Sequence, residues 1–238
     1  MTASSKSAEF DRAARPTYPV GVPSKFSPDG DVQHFPGNTV LARLNPSSEL
    51  YASMLKLSAR LSESHLSSLL AILPPSSWHM TVFEGVCDQV RKPGFWPSDI
   101  SIAEPLEGCT QHLTEKLAKF GLRCKPPYRF TIVGFNSPET GGISVHLEPH
   151  GADEEARLRG LRDRLSNTLQ IRHPQHDSYQ FHIGLAYLLR HLTEQQKTEL
   201  TEMLMDHFRG MPQEVELGGP EFCTFENMCK FDQHLWLG

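Results

Sequence analysis

Two short segments of the chain repeat the same pattern of residue types. Trp78–Phe83 and Phe181–Ala186 each contain a bulky apolar residue, a histidine, an apolar residue, a small residue and two further apolar residues. This alternation predicts a β-strand with one buried face. Because side chains alternate along a strand, each histidine shares its face with the residue two places later, Thr81 or Gly184. We therefore expect two matched strands, each with a histidine on its polar face.

Two such strands side by side would place His79 and His182 across a shared groove. A histidine and the second residue after it lie about 6.6 Å apart along a strand, a distance of the right order for a phosphate to sit between them. In-line cleavage of a phosphodiester needs a neutral imidazole that accepts a proton and a protonated imidazole that donates one. Hydroxyls or backbone N–H groups then bind the non-bridging oxygens. This chemistry requires no metal and no cofactor.

The segments HMTV (79–82) and HIGL (182–185) resemble the paired H-φ-S/T-φ motifs of the 2H (two-histidine) phosphoesterase superfamily, which includes 2′,3′-cyclic nucleotide phosphodiesterases and 2′–5′ RNA ligase-like proteins. The flanking segments are most similar to an uncharacterised branch found in fungi and bacteria. The resemblance covers about residues 38–235. It implies a bilobal fold in which two pseudo-symmetric antiparallel sheets form a central groove with helices outside. It also implies His79 and His182 as the catalytic acid and base, and Thr81 as a phosphate ligand.

The second motif departs from the family pattern at Gly184, where a serine or threonine is expected. The loss of one preorganised donor lowers a rate by about 10²- to 10³-fold when nothing replaces it. Three interpretations stay open: a backbone N–H or water replaces the hydroxyl, the substrate is bulkier, or the site has drifted from hydrolysis. Which histidine is the acid also stays open, because it depends on how the substrate lies in a nearly symmetric groove.

Two further residues are candidate substrate ligands. Tyr187 lies off the histidine face of a regular strand, and it could either stack on a ligand or pack in the core or at the rim. Lys25 could reach an anionic substrate if the N-terminal arm folds over the groove. The segment His173–Asp177 is interpreted as a surface turn rather than a zinc site, because no second ligand pair has zinc-like spacing.

The remaining sequence alternates helices with mostly antiparallel strands in two comparable halves, which indicates an α+β fold. The sequence of residues 1–37 predicts an irregular arm with a mobile beginning. The sequence of residues 38–238 predicts a single bilobal domain. The predicted helices are a run of about fifteen residues after Ser48, 106–120 with Gly121 as C-cap, 152–170, and one opened by the capping box Thr193–Gln196. The predicted strands are 38–44, 76–85, 128–135, 142–149, 178–189 and two or three in the tail, with a hairpin turn at 137–141.

The charge composition limits the class of partner. The chain has 23 Lys and Arg against 28 Asp and Glu, a net charge of −5. This balance argues against a protein that coats nucleic acid through phosphate contacts, and it leaves a small anionic substrate such as a cyclic nucleotide or an RNA end. The arginines of 157–172 alternate with acidic residues, which favours a solvated helix face over an RNA-facing surface.

Other features predict a cytoplasmic or nuclear monomer. No apolar run approaches the roughly 18 residues that span a membrane, and the N-terminus lacks the apolar segment of a secretory signal. The five cysteines are scattered without a C-x-x-C pair, which is typical of reduced thiols. Two other functions stay open: an enzyme of the same fold that acts on a non-nucleotide metabolite, and a non-catalytic nucleotide- or phosphate-binding protein.

Overall fold

The structure, a computed structural model, describes residues 16–136 and 141–238. These residues contain nine strands and four α-helices, which confirms the α+β class. The strands are β1 (Gly37–Arg43), β2 (Leu70–Ile72), β3 (His79–Cys87), β4 (Tyr128–Phe135), β5 (Gly142–Pro149), β6 (Phe181–Leu188), β7 (Glu214–Leu217), β8 (Glu221–Asn227) and β9 (Lys230–Trp236). The helices are α1 (Glu49–Glu63), α2 (Leu106–Leu117), α3 (Ala152–Leu169) and α4 (Glu194–Phe208).

The strands form one antiparallel sheet with the order β7-β4-β5-β6-β3-β1-β8-β9, and β2 pairs with β6. The two histidine strands, β3 and β6, are neighbours at its centre, where Met80 pairs with Ile183. The sheets expected for the two halves therefore meet at the motifs, with four of the ordered strands on each side. This single residue pair brings the two histidine faces next to each other.

The ends of the helices follow local sequence signals. Ser48 caps α1 through its side chain, and Thr193 and Gln196 form the predicted capping box of α4. The second helix ends at Leu117, one turn before the predicted C-cap Gly121. Residues 137–140 of the predicted hairpin turn and the predicted mobile beginning of the arm lie outside the described residues.

The apolar faces of the two motifs lie in the core, as the strand period predicts. The six core-facing side chains are each at most 2% exposed: Trp78, Met80, Val82, Phe181, Ile183 and Leu185. Burial of these faces fixes the register of both strands, because a slip of one residue would turn the apolar side chains toward water. In the part of the chain that the structure describes, no helix has both the length and the apolar character of a membrane span.

Candidate active site

A cavity of about 400 Å³ lies where β3 and β6 meet. It is lined by all six site residues that the sequence selects: Lys25, His79, Thr81, His182, Gly184 and Tyr187. Much of the remaining wall is apolar and comes from the arm and from both halves of the sheet, through Phe35, Leu73, Phe225, Met228 and Phe231. Lys25 and Tyr187, which are 162 positions apart in sequence, are thus brought into one site.

The same local hydrogen bond orients both imidazoles. His79 Nδ1 lies 2.7 Å from the carbonyl oxygen of Ser77, and His182 Nδ1 lies 2.9 Å from that of Gln180. A carbonyl oxygen can only accept, so Nδ1 carries the proton and donates in both rings. Nε2 of each ring is then the atom left to act on a substrate, as an acceptor when the ring is neutral and a donor when it is protonated.

His79 has surroundings that keep it neutral. Burial of the ring lowers its pKa to about 4, and the positive charges of Arg43 and a protonated His182 act in the same direction. Arg43 is the cross-strand partner of His79 on β1 and donates to the carbonyl oxygen of Phe231 at 2.8 Å. The Phe231 ring packs edge-on against the imidazole, with 4.3 Å between ring centroids. At pH 7 the Nε2 lone pair of His79 is therefore available to accept a proton.

A β-bulge follows each histidine at the same position. The register of β3 against β1 skips Val82, and the register of β6 against β5 skips Leu185. An extra residue shifts the alternation of the strand, so that the next polar position returns to the histidine face. The sequence of buried and half-buried residues is consequently identical over 79–84 and 182–187.

The bulges correct one expectation and reveal one missed residue. Tyr187 was expected off the histidine face on the assumption of a regular strand, but the bulge turns it into the cavity. Glu84, which also follows its histidine by five residues, lines the cavity from the other strand. The aligned motifs carried this signal, because each contains two consecutive apolar residues before the fifth position.

The N-terminal arm places a positive charge in the cavity. Lys25 Nζ donates to the Tyr187 hydroxyl at 3.1 Å and lies 5.0 Å and 5.2 Å from the ring centroids of Tyr187 and Phe35. Phe26, which is buried, packs against Tyr187 with 5.2 Å between centroids. The sequence allows Lys25 to reach a substrate only if the arm folds over the groove, and in the structure the arm does so.

A buried arginine supports the β3 bulge from α3. Arg162 is 1% exposed and donates to the Val82 carbonyl at 2.7 Å and to the Glu84 carboxylate at 3.0 Å. Its guanidinium lies 3.9 Å from the ring centroid of Tyr179, whose hydroxyl shares a hydrogen bond with Thr81. Burial, and then the Glu84 charge, raise the pKa of Tyr179. Arg162 therefore corrects the interpretation of this helix's arginines as a solvated face.

One group in the described residues has the spacing of metal ligands: Asp163, His176 and Asp177. Arg172 already pairs with both carboxylates, at 3.4 Å and 2.5 Å, and His176 pairs with Asp163 at 3.0 Å. Both carboxylates are thus already paired with a guanidinium. The turn is not wholly a surface feature, because His176 is buried against Phe83.

Comparisons with known proteins agree with this geometry. Residues 25–140, which include the first histidine motif, match a family model described as 2H-phosphodiest, a domain of unknown function (DUF1868). No curated protein matches the chain.

Solved structures align with most of the chain. A conserved protein of unknown function from Agrobacterium tumefaciens, ATU0111, aligns at a TM-score of 0.86 with 26% identity over 95% of this chain and 96% of its own. LigT from E. coli, complexed with phosphate, aligns at 0.47 with 9% identity over 86% of this chain and 97% of its own. The protein TT0787 from Thermus thermophilus aligns at 0.45 with 14% identity over 84% of this chain and 97% of its own.

The family model covers the first motif, and the second repeats that motif's strand, ring orientation and bulge. Over residues 25–140 the chain is therefore similar to the two-histidine (2H) phosphoesterase superfamily.

Proposed function

We propose that the protein is a phosphodiesterase that opens a cyclic phosphodiester, a 2′,3′-cyclic nucleotide or an RNA end, to a monoester by two-histidine acid/base catalysis. The observation that carries the proposal is the pair of imidazoles on adjoining strands. Both donate Nδ1–H to a backbone carbonyl, which leaves Nε2 for the substrate. Lys25 and Thr81 in the same cavity supply a positive charge and a hydroxyl for the phosphate.

The surroundings of His79 support a role as the base. His79, neutral at pH 7 because its pKa is lowered to about 4, accepts a proton from the attacking water. The water oxygen bonds to phosphorus, and the bond from phosphorus to one ribose oxygen breaks. His182, in its protonated form, donates a proton from Nε2 to that leaving oxygen. The two histidines then return to their starting states by exchange with solvent.

The other cavity residues support recognition of a small phosphodiester. Lys25 and the Thr81 hydroxyl would stabilise the charge that develops on the non-bridging oxygens. The apolar wall around Phe35, Leu73 and Met228 would receive a flat ring such as a nucleobase. A volume of about 400 Å³ lies in the range of small-molecule sites.

Hydrolysis of 2′,3′-cyclic nucleotides, and of an RNA oligonucleotide that ends in a cyclic phosphate, tests the proposal. We expect His79→Ala and His182→Ala each to lower kcat by about 10²- to 10⁴-fold, because each removes a proton-transfer group. His65→Ala is the matched control, since its side chain is 71% exposed and outside the cavity. Product formation followed by ³¹P NMR gives the rates. Activity that survives in both cavity variants would contradict the mechanism.

Gly184 favours a second candidate, a binding protein that keeps the groove without turnover. Tight nucleotide binding with no hydrolysis, unchanged in Gly184→Ser, would support this candidate. The remaining alternative is an enzyme of the same fold that acts on a non-nucleotide metabolite. A panel of other phosphodiesters tests it, because hydrolysis of one of them without hydrolysis of cyclic nucleotides would indicate such a substrate.

A further inference from the structure

We propose that Ser144 on β5 supplies the phosphate-binding hydroxyl that the second motif lacks at Gly184. The inference rests on the proposed function and deepens it, because it names a second phosphate ligand on a different strand. It also selects a side chain, rather than a backbone N–H or water, as the replacement for the missing hydroxyl.

The strand register places Ser144 beside the position of the missing side chain. β5 pairs with β6 so that Ser144 lies opposite Gly184 and His146 lies opposite His182. Residues directly opposite in an antiparallel pair share a face, with their Cα atoms about 4.5–5.5 Å apart. The bulge at Leu185 sets this register. Regular pairing would place Ser144 opposite Leu185, which is fully buried.

The space at Gly184 can hold a side chain. A Cβ atom built on Gly184 would meet only Leu73 Cδ1, at 3.6 Å, which is an ordinary contact. Packing therefore does not require glycine at this position. His182 and Gly184 line the histidine cavity and also an adjoining cavity of about 610 Å³, to which Ser144 and His146 belong. A phosphate beside His182 is thus within the space that both strands border.

The first motif shows the reverse arrangement. Thr81 carries its own hydroxyl, and its cross-strand partner on β1 is Leu41, which is fully buried. In the second half, the motif strand has glycine and the partner strand has serine. Each half of the pseudo-symmetric site therefore presents one hydroxyl at the level of this residue pair, but from a different strand.

The local hydrogen bonds allow Ser144 to turn toward a phosphate. Its Oγ donates to Asn136 Oδ1 at 3.0 Å, and the same oxygen accepts the Ser144 backbone N–H. If the hydroxyl rotates, Asn136 Oδ1 keeps the N–H, so no acceptor is left unpaired. The Asn136 side chain is itself fixed by donation to the Gly142 carbonyl at 2.7 Å.

Ser144→Ala tests the inference with two readouts. We expect kcat/KM for a 2′,3′-cyclic nucleotide to fall by about 10²-fold, as for loss of one preorganised donor. We also expect binding of inorganic phosphate, followed through the imidazole NMR signals, to weaken by about tenfold. Ser178→Ala is the matched control, because Ser178 lines the same adjoining cavity but is not paired with Gly184. Ser144→Thr keeps the hydroxyl and is expected to retain phosphate binding.

A second background isolates the role of the hydroxyl. In Gly184→Ser the motif regains its own hydroxyl, so Ser144→Ala should then cost less than about tenfold in kcat/KM. An equal cost in the two backgrounds would overturn the inference, as would unchanged phosphate binding and turnover in Ser144→Ala. Weakened phosphate binding in a protein that hydrolyses no cyclic phosphodiester would support Ser144 and contradict the proposed function.

Discussion

His79 and His182 are equivalent in sequence but not in environment. Both rings donate Nδ1–H to the carbonyl two residues earlier, so the backbone orients both rings in the same way. The difference comes from neighbours on other strands, chiefly the burial of His79 under Phe231 and its position opposite Arg43. A symmetric motif thus acquires the asymmetry that an acid/base pair requires.

The pH dependence of the reaction should report this asymmetry. Because His79 has a pKa of about 4, it becomes protonated and unable to accept a proton only as the pH falls through 4. We therefore expect kcat/KM to fall on the acid side as the pH drops through about 4. Ring-proton NMR titration with His79→Gln for assignment measures the pKa directly. A value for His79 near the ordinary 6.5 would contradict its role as the base.

The residue scale also shows what the sequence could predict. Strand period predicts that His79 and Thr81 share one face and that His182 lies on the polar face of its own strand, and the family resemblance joins them in one site. In the structure the three residues line one cavity. The interpretation of Gly184 was incomplete, because a missing side chain says nothing about the neighbour that borders its space. Which residue is that neighbour depends on how β5 pairs with β6, and the sequence of neither strand by itself specifies this pairing.

Among the elements, the two bulges decide which residues join the histidines. Val82-Phe83 and Leu185-Ala186 break the alternation of their strands, and both pairs are buried. A period of two, applied without a bulge, puts Glu84 and Tyr187 on the wrong face. Helix boundaries were more predictable, because a cap such as Thr193 acts within one turn. The three-residue β2 was missed, since so short a strand has no readable period.

Arg162 connects α3 to the β3 bulge and should therefore contribute to the free energy of unfolding. Arg162→Met removes the donors to the Val82 carbonyl and the Glu84 carboxylate, two groups that then lose their partner inside the protein. We expect the free energy of unfolding to fall by about 3 kcal/mol, because hydrogen bonds to a charged group contribute about 1.5–3 kcal/mol each. Urea unfolding measures this change.

The control for Arg162 is Arg209→Met, which makes the same change of charge and size. The Arg209 side chain is 77% exposed and pairs with Asp206 at the surface, so its loss should change the free energy of unfolding by less than about 1 kcal/mol. Equal stability of the two variants would show that Arg162 does not support the bulge.

At the scale of the whole molecule, the protein is acidic but a lysine lines the cavity, and the Glu84 carboxylate that also lines it is paired with Arg162. The net charge is −5, yet the cavity between the two halves holds Lys25 beside two histidines. The positive group is provided by the arm, outside the repeated halves, and the contacts of Lys25 and Phe26 with Tyr187 hold the arm at the site. A negative net charge with a local positive group is consistent with the proposed small anionic substrate, because binding of a long nucleic acid relies on clustered positive charge.

Lys25→Met tests whether the arm contributes to binding. Methionine keeps an unbranched apolar side chain against Phe35 and Tyr187 but removes the ammonium group. We expect KM for a 2′,3′-cyclic nucleotide to rise about tenfold or more, with a smaller change in kcat, because a charge-assisted hydrogen bond contributes about 1.5–3 kcal/mol. The dependence of KM on salt should weaken as well, since one screened attraction is lost. Lys56→Met, a change at an exposed lysine on α1, should alter neither quantity. If KM and its salt dependence are the same in Lys25→Met as in the wild type, the arm only covers the groove and the anion is held by the two halves alone.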